Sequence, residues 1–263
     1  MSYKNIEFSI DKGVAVLKLN RPDALNSFTA EMHGEVREVL TQAADDKSVR
    51  AVLITGNGRG FCAGQDLNDR SVAPGAEMPD LGDSVEKYYS PLILQITTME
   101  KPVICAVNGV AAGAGANIAL ACDIVIAGRS ASFIESFAKL GLIPDSGGTW
   151  ILPRLVGMAR AKGLAMLGPK VSAEQAEAWG MIWQLVEDED LMSTALGLAQ
   201  QMATQPTRGF AFTKQAFAAS AANTLATQLE LERDLMRAAG RTHDYQEGVK
   251  AFLEKRTPTY KGE

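Results

Sequence analysis

The chain is poor in the side chains that carry most nucleophilic and metal chemistry. Histidine occurs twice in 263 residues, as His33 and His243, and cysteine three times, as Cys62, Cys105 and Cys122. No His/Cys/carboxylate cluster has the spacing of a metal site. There is no G-x-S-x-G elbow, and neither histidine lies in a small-residue loop, so a Ser–His–Asp or Cys–His enzyme has little support. Both histidines fall on charged helical patterns and read as surface residues. The cysteines are odd in number and two lie in apolar contexts, as small core residues do. That is no disulfide framework, and it suits a reducing cytoplasm. No run approaches the roughly 20 apolar residues of a membrane span. The first residues, M-S-Y-K-N-I-E, lack an apolar signal core. Net charge is −5, which argues against a nucleic-acid partner; a polyanionic ligand would need local Lys or Arg.

What is present is a core-forming composition, 46 % hydrophobic and 22 % charged, enough for one large domain or two small ones. Residues 6–19 alternate around Lys12-Gly13 and read as a hairpin. Phe28, Met32, Val36 and Leu40 share a helical face, with Thr29 as N-cap. Residues 51–55 read as a buried strand, running into a small-residue loop over 56–67. Residues 68–83, with Pro74, Gly75, Pro79 and Gly82, read as a lid-like loop. A helix over 84–99 carries Pro91 as a candidate kink. Strands are expected at 103–107, 124–127 and 182–186, and helices at 117–121, 147–155 and 159–167. Ser172 and Gln175 form a capping box for a helix to Trp179, ended by Gly180. Beyond Asp188 strand signals cease. Four amphipathic helices follow, near 190–204, 206–219, 224–239 and 243–255. Strands alternating with helices imply an α/β fold. The change in pattern sets a boundary between a core over 1–187 and a helical region over 188–263.

The chain is organised around residues 103–145. A buried strand there is broken by Asn108-Gly109, and Gly113-Ala114-Gly115-Ala116 then opens a helix. The first N–H groups of a helix have no internal partner, and small side chains let a ligand approach them. Residues 61–66 repeat the arrangement of strand, then small-residue loop. Two such N–H groups converging on one oxygen would make an oxyanion hole; two tight βα turns packed through small residues is the plainer alternative. Gly113-x-Gly115 lacks the third glycine of a dinucleotide fingerprint. Ile143-Pro144-Asp145-Ser146-Gly147-Gly148 sets a carboxylate between a rigid Pro and a helix start, where helix capping by Asp145 or Ser146 is the plainer role.

Taken together, six segments resemble the crotonase (enoyl-CoA hydratase/isomerase) superfamily. They are L-N-R-P-D-A-L-N-S-F at 19–28, G-R-G-F-C-A-G-Q-D-L at 58–67, K-P-V-I-C-A-V-N-G-V-A-A-G-A-G at 101–115, C-D-I-V-I-A at 122–127, L-G-L-I-P-D-S-G-G-T at 140–149 and E-G-V-K-A-F-L-E-K-R at 247–256. The resemblance implies a ClpP-like spiral of ββα units with a C-terminal helical trimerisation region, assembled as a homotrimer or dimer of trimers. It implies a coenzyme A thioester as substrate, with no separate cofactor and no metal. The thioester oxygen would be held by the N–H groups of Gln65 and Ala114; the family's second donor is usually a glycine. CoA would lie along Ala24, Leu25, Ala63, Gly64, Asp66 and Leu67, closed at the adenine end by Phe252 and Lys255 of a neighbouring chain. Water-adding members use two glutamates, and those positions hold Asn117 and Phe137 here. An amide cannot shuttle protons at neutral pH, and Phe137 makes that wall apolar. The remaining candidate acid–base group is Asp145, at a place where double-bond-shifting members commonly carry an acid. These departures point to an isomerase. A hydratase of the same family and a non-catalytic acyl-CoA-binding oligomer are the alternatives, because fold alone does not prove activity.

Overall fold

A computed structural model describes residues 3–70 and 80–263. The first hairpin pairs β1 (Ile6–Asp11) with β2 (Val14–Leu19) antiparallel. Its turn residues Lys12 and Gly13 have φ of 48° and 78°, the left-handed pair a two-residue hairpin turn requires. Next come α1 (Ala30–Asp45), capped by Thr29 accepting from the Met32 N–H, then β3 (Ala51–Gly56) and β4 (Gly60–Cys62). The chain continues through α2 (Leu81–Ser84), α3 (Ser90–Thr98), β5 (Val103–Val107), β6 (Val110–Ala112), α4 (Ala114–Leu120), β7 (Ile124–Gly128) and β8 (Ser132–Ile134). The remaining elements are α5 (Gly148–Val156), α6 (Met158–Leu167), β9 (Lys170–Ser172), α7 (Ala173–Ala178), β10 (Gln184–Val186), α8 (Leu191–Ala203), α9 (Thr207–Ser220), α10 (Leu225–Ala239) and α11 (His243–Leu253).

Two sheets result, a six-stranded one in the order β1-β2-β3-β5-β7-β10 and a four-stranded one in the order β4-β6-β8-β9. Each turn of the chain gives one strand to the large sheet and the next to the small one, as β3 to β4, β5 to β6 and β7 to β8. Helices follow on the outside, which makes a spiral of strand–strand–helix turns. β4, β6 and β8 run parallel, so the chain leaves all three at the same edge. That edge is where the small-residue loops meet.

The period-two geometry of strands decides which residues face which layer. Val52 and Ile54 of β3 and Val103, Cys105 and Val107 of β5 join the main core with α1. Ala51, Leu53, Ile104 and Ala106 face the other way, against Leu191, Ala195, Ala199 and Ala203 of α8. Alanines four residues apart let α8 lie close to the sheet. This first helix beyond residue 187 therefore covers a sheet face.

Several elements differ from the sequence reading. The 56–67 loop contains β4, and α4 begins at Ala114 rather than 117. Three-residue strands such as β8 and β9 carry too little periodicity to be read. Pro91 lies inside a continuous helical run from α2 to α3, directly after a π-type turn over Val85–Tyr89, and that widened turn is where the run adjusts to the proline's missing N–H. Of the expected lid over 68–83, residues 71–79 lie outside the described residues. His33 is a correction. It is 3 % exposed, its ring 4.6 Å from Phe28, stacked on Tyr88 at 5.1 Å and edge-on to Tyr89 at 4.6 Å. The buried face of α1 is wide enough to take His33 beside Met32.

Candidate active site

The first loop follows β4. The Phe28 N–H donates to the Gly64 carbonyl at 2.7 Å, and the Asp66 N–H donates to the Phe28 carbonyl at 2.9 Å. This is a parallel bridge between Phe28 and Gln65. It turns the Gln65 N–H away from Phe28. The segment before Phe28 clamps the loop. Leu25, with φ of 49°, accepts the Ala63 N–H at 2.9 Å, and the buried Asn26 amide donates to the carbonyls of Asn57 and Gly60. Arg21 reaches Asp66 at 2.9 Å, and the Asn68 N–H donates to the same carboxylate at 3.0 Å. Burial alone would raise Asp66, but these two donors outweigh it and hold the carboxyl below its usual value. Asp66 is thus committed to Arg21 and the loop backbone. Ala24, Leu25 and Ala63 are part-buried beside it, and Leu67 is exposed. The Gln65 side chain is held by Tyr89, whose hydroxyl donates to Oε1 at 2.9 Å.

The second loop follows β6. Gly113 has φ of 54° and donates its N–H to the Ile134 carbonyl at 2.8 Å. Ala116 and Asn117 donate back to the Gly113 carbonyl, which leaves the N–H groups of Ala114 and Gly115 in the open first turn of α4. The two loops touch. A Cβ on Gly64 would lie 3.2 Å from the Ala114 nitrogen and 2.9 Å from the Ala112 carbonyl oxygen, and a Cβ on Gly115 would overlap the Cys62 carbonyl. The amides of Gln65 and Ala114 therefore stand on adjoining backbones. Phe137 is buried, with its ring about a van der Waals contact from Gly113.

Asp145 reaches this place through α4. The Asn117 Nδ2 donates to the Asp145 carbonyl at 2.9 Å, and Gly148 is glycine because a Cβ there would overlap that Asn117 amide. Ser146 donates to Asp145 Oδ1 at 2.8 Å. The N-cap of α5 is Gly147 and makes no side-chain capping bond, so neither Asp145 nor Ser146 serves as the cap. Gln65, Ala114, Asn117, Phe137 and Asp145 are thus gathered around one helix start. Phe252 is elsewhere: it is 82 % exposed on α11, in a groove with Tyr245, Val249 and Leu253, and Lys255 follows it. Among the described residues no group of three or more His, Cys, Asp or Glu could hold a metal ion, and no helix is long and apolar enough to cross a membrane.

Sequence reasoning missed one carboxyl. Glu135, after β8, is 3 % exposed, and neither of its oxygens makes an aligned hydrogen bond. Burial pushes it up to about 7; the Asn117 amide opposes the rise and the charge of Asp145 adds to it. The one available signal was a lone charge in the apolar run S-F-I-E-S-F. Because the folded value lies above the usual 4.5, the stability this group contributes is full below that value and is lost as pH rises through 7. The loss approaches about 3 kcal/mol. Urea unfolding of wild type and Glu135→Gln at pH 4 and pH 8 is expected to show that extra loss in wild type only.

This chain belongs to the enoyl-CoA hydratase/isomerase family, whose model matches residues 9–263. It has the crotonase fold: an enoyl-CoA hydratase structure from Bacillus anthracis superposes with a TM-score of 0.90 at 34 % identity, covering 99 % of this chain and 100 % of that one. The 1,2-epoxyphenylacetyl-CoA isomerase of Escherichia coli (strain K12) is 60 % identical over 96 % of this chain and 97 % of its own length. The 2,3-dehydroadipyl-CoA hydratase of the same strain is 36 % identical over 95 % of each chain.

Proposed function

We propose that this chain is an acyl-CoA isomerase of phenylacetate catabolism. It converts 2-(1,2-epoxy-1,2-dihydrophenyl)acetyl-CoA to oxepin-CoA, and it shifts a double bond in an unsaturated dicarboxylyl-CoA. The observation that carries this reading is that Asp145, whose backbone carbonyl accepts from Asn117 of α4, stands beside an amide and a phenyl ring where water-adding members have two glutamates. The 60 % identity to the Escherichia coli isomerase supports the acyl group.

The Gln65 and Ala114 N–H groups hold the thioester oxygen. As a proton leaves the carbon next to the thioester, negative charge develops on that oxygen, and preformed donors stabilise it without reorganising. Asp145 takes the proton and returns it further along the conjugated system on the same face. Phe137 keeps that wall apolar and excludes water from a reactive epoxide. Ala24, Leu25, Ala63, Gly64 and Leu67 line the path of the CoA, with Asp66 holding the loop. The CoA belongs to the substrate, and no further cofactor or metal enters.

Residues 1–187 form the spiral core with the acyl-CoA site, and residues 188–263 form the helical region for assembly and closure. Leu225, Leu229 and Met236 lie exposed on one face of α10, which fits burial in a homotrimer or a dimer of trimers. Phe252 and Lys255 then close the adenine end of a neighbour's site, Lys255 bringing positive charge. We place the protein in the cytoplasm, with other phenylacetate-pathway enzymes as candidate partners and neither nucleic acid nor membrane among them. Chromatographic separation with mass spectrometry after incubation with epoxyphenylacetyl-CoA is the test. An isobaric oxepin-CoA product is expected; a product heavier by one water means a hydratase, and tight binding without turnover means a scaffold.

A further inference from the structure

We propose that Tyr89 is a positioning residue for the oxyanion donor at Gln65 and acts through the Gln65 side chain. The proposal rests on the reading of the Gln65 N–H as one of the two groups that hold the thioester oxygen.

That N–H belongs to the peptide between Gly64 and Gln65, and the peptide is held at both ends. Across a planar trans peptide the C=O and N–H point opposite ways. The Gly64 carbonyl accepts the Phe28 N–H at 2.7 Å, so the Gln65 N–H is aimed away from Phe28. One bond sets a direction but still allows a pivot about itself. Gly64, with φ of 88°, resists that pivot less than any other residue type would. The second hold is at the Gln65 side chain, which is tied twice. The Tyr89 hydroxyl donates to Oε1 at 2.9 Å, and Nε2 donates to the Asp66 carbonyl at 3.3 Å. A flipped amide would set Oε1 against that carbonyl, two acceptors face to face, so the orientation is decided.

Tyr89 is a firm anchor. It is 0 % exposed, and its ring is edge-on to His33 at 4.6 Å. His33 in turn lies 4.6 Å from the Phe28 ring and is stacked on Tyr88 at 5.1 Å. One aromatic group therefore backs both holds: Phe28 fixes the carbonyl end of the peptide and Tyr89 the side-chain end. A phenylalanine at 89 would fill the same volume without the cost of burying a hydroxyl. The hydroxyl instead reaches the one residue of the 61–66 loop whose N–H is assigned to the substrate. Tyr88 and Tyr89 both come from the π-type turn over Val85–Tyr89, a distortion that recurs at functional sites. Without the Tyr89 bond the ring and the packing remain, but the Gln65 peptide can rotate and its N–H drifts from the oxygen it must meet.

The test uses the whole chain. The infrared C=O stretch of a bound saturated acyl-CoA, carbon-13 labelled at the thioester carbon, reads how strongly the donors polarise that bond. Binding to wild type should lower the stretch, and Tyr89→Phe should lower it less. In the same variant kcat for a 3-enoyl-CoA should drop about 10- to 10²-fold, short of the loss of a whole donor, while affinity for the saturated acyl-CoA changes little. Gln65→Met keeps the side-chain length and lacks the amide, so it should behave alike. If Tyr89 acts through Gln65, the double variant falls no further than Gln65→Met alone. Additive losses in the double variant, or a wild-type stretch in Tyr89→Phe, overturn the proposal and leave Tyr89 as packing. A stretch that binding to wild type does not lower is a different failure: it removes the donor reading of Gln65, and the proposal with it.

Discussion

Asp145→Asn is expected to cut kcat for double-bond migration by about 10²–10⁴, the range for loss of one general acid–base group. Binding of the acyl-CoA should change little. The substitution is nearly isosteric, and the tie to α4 runs through the Asp145 backbone carbonyl, which the variant keeps. The Ser146 hydroxyl still finds an acceptor in the new amide. What is lost is the ability to take and return a proton at neutral pH. Stopped-flow absorbance of the conjugated thioester gives the rate, and calorimetry with a saturated acyl-CoA gives the affinity. Full activity in the variant would reduce Asp145 to a loop residue.

Gly115→Ala should remove activity by a different route. A Cβ there overlaps the Cys62 carbonyl, which is backbone and has no room to move. Overpacking of this kind costs about 1–3 kcal/mol, occasionally more. Relief requires the 61–66 loop and the start of α4 to separate, and the amides of Gln65 and Ala114 then cannot meet on one oxygen. Loss of one such donor lowers kcat by about 10²–10³. Both a lower unfolding midpoint and a fall in kcat are therefore expected. Gly34→Ala is the control: Gly34 is exposed in the middle of α1 with open space around it, and Ala there should stabilise by about 0.5–1 kcal/mol. Equal behaviour of the two variants would mean that the loops are not in contact.

Much of this molecule could be read from the chain. The Lys12-Gly13 turn, the Thr29 cap and the Ser172–Gln175 capping box all appear where local chemistry put them. These are signals within a few residues, and each has one favoured conformation. The quoted motifs likewise pointed to the family. The three-residue strands β4, β6, β8 and β9 escaped, because pairing partners rather than local preference make them strands.

By itself, then, the sequence determined the turns and caps, the family, and the absence of both glutamates that water-adding members use, Asn117 and Phe137 standing in their places. Tertiary structure decided three other things. It buried His33 among Phe28, Tyr88 and Tyr89, although its neighbours are charged. It removed the helix-capping role from Asp145 by giving α5 a glycine cap. It also brought Glu135 and Asn117 together from β8 and α4, with Asp145 alongside. The physical reason is the same in each case: burial and charge proximity depend on residues far apart in the chain, and only parallel strands ending at one edge bring those residues into reach.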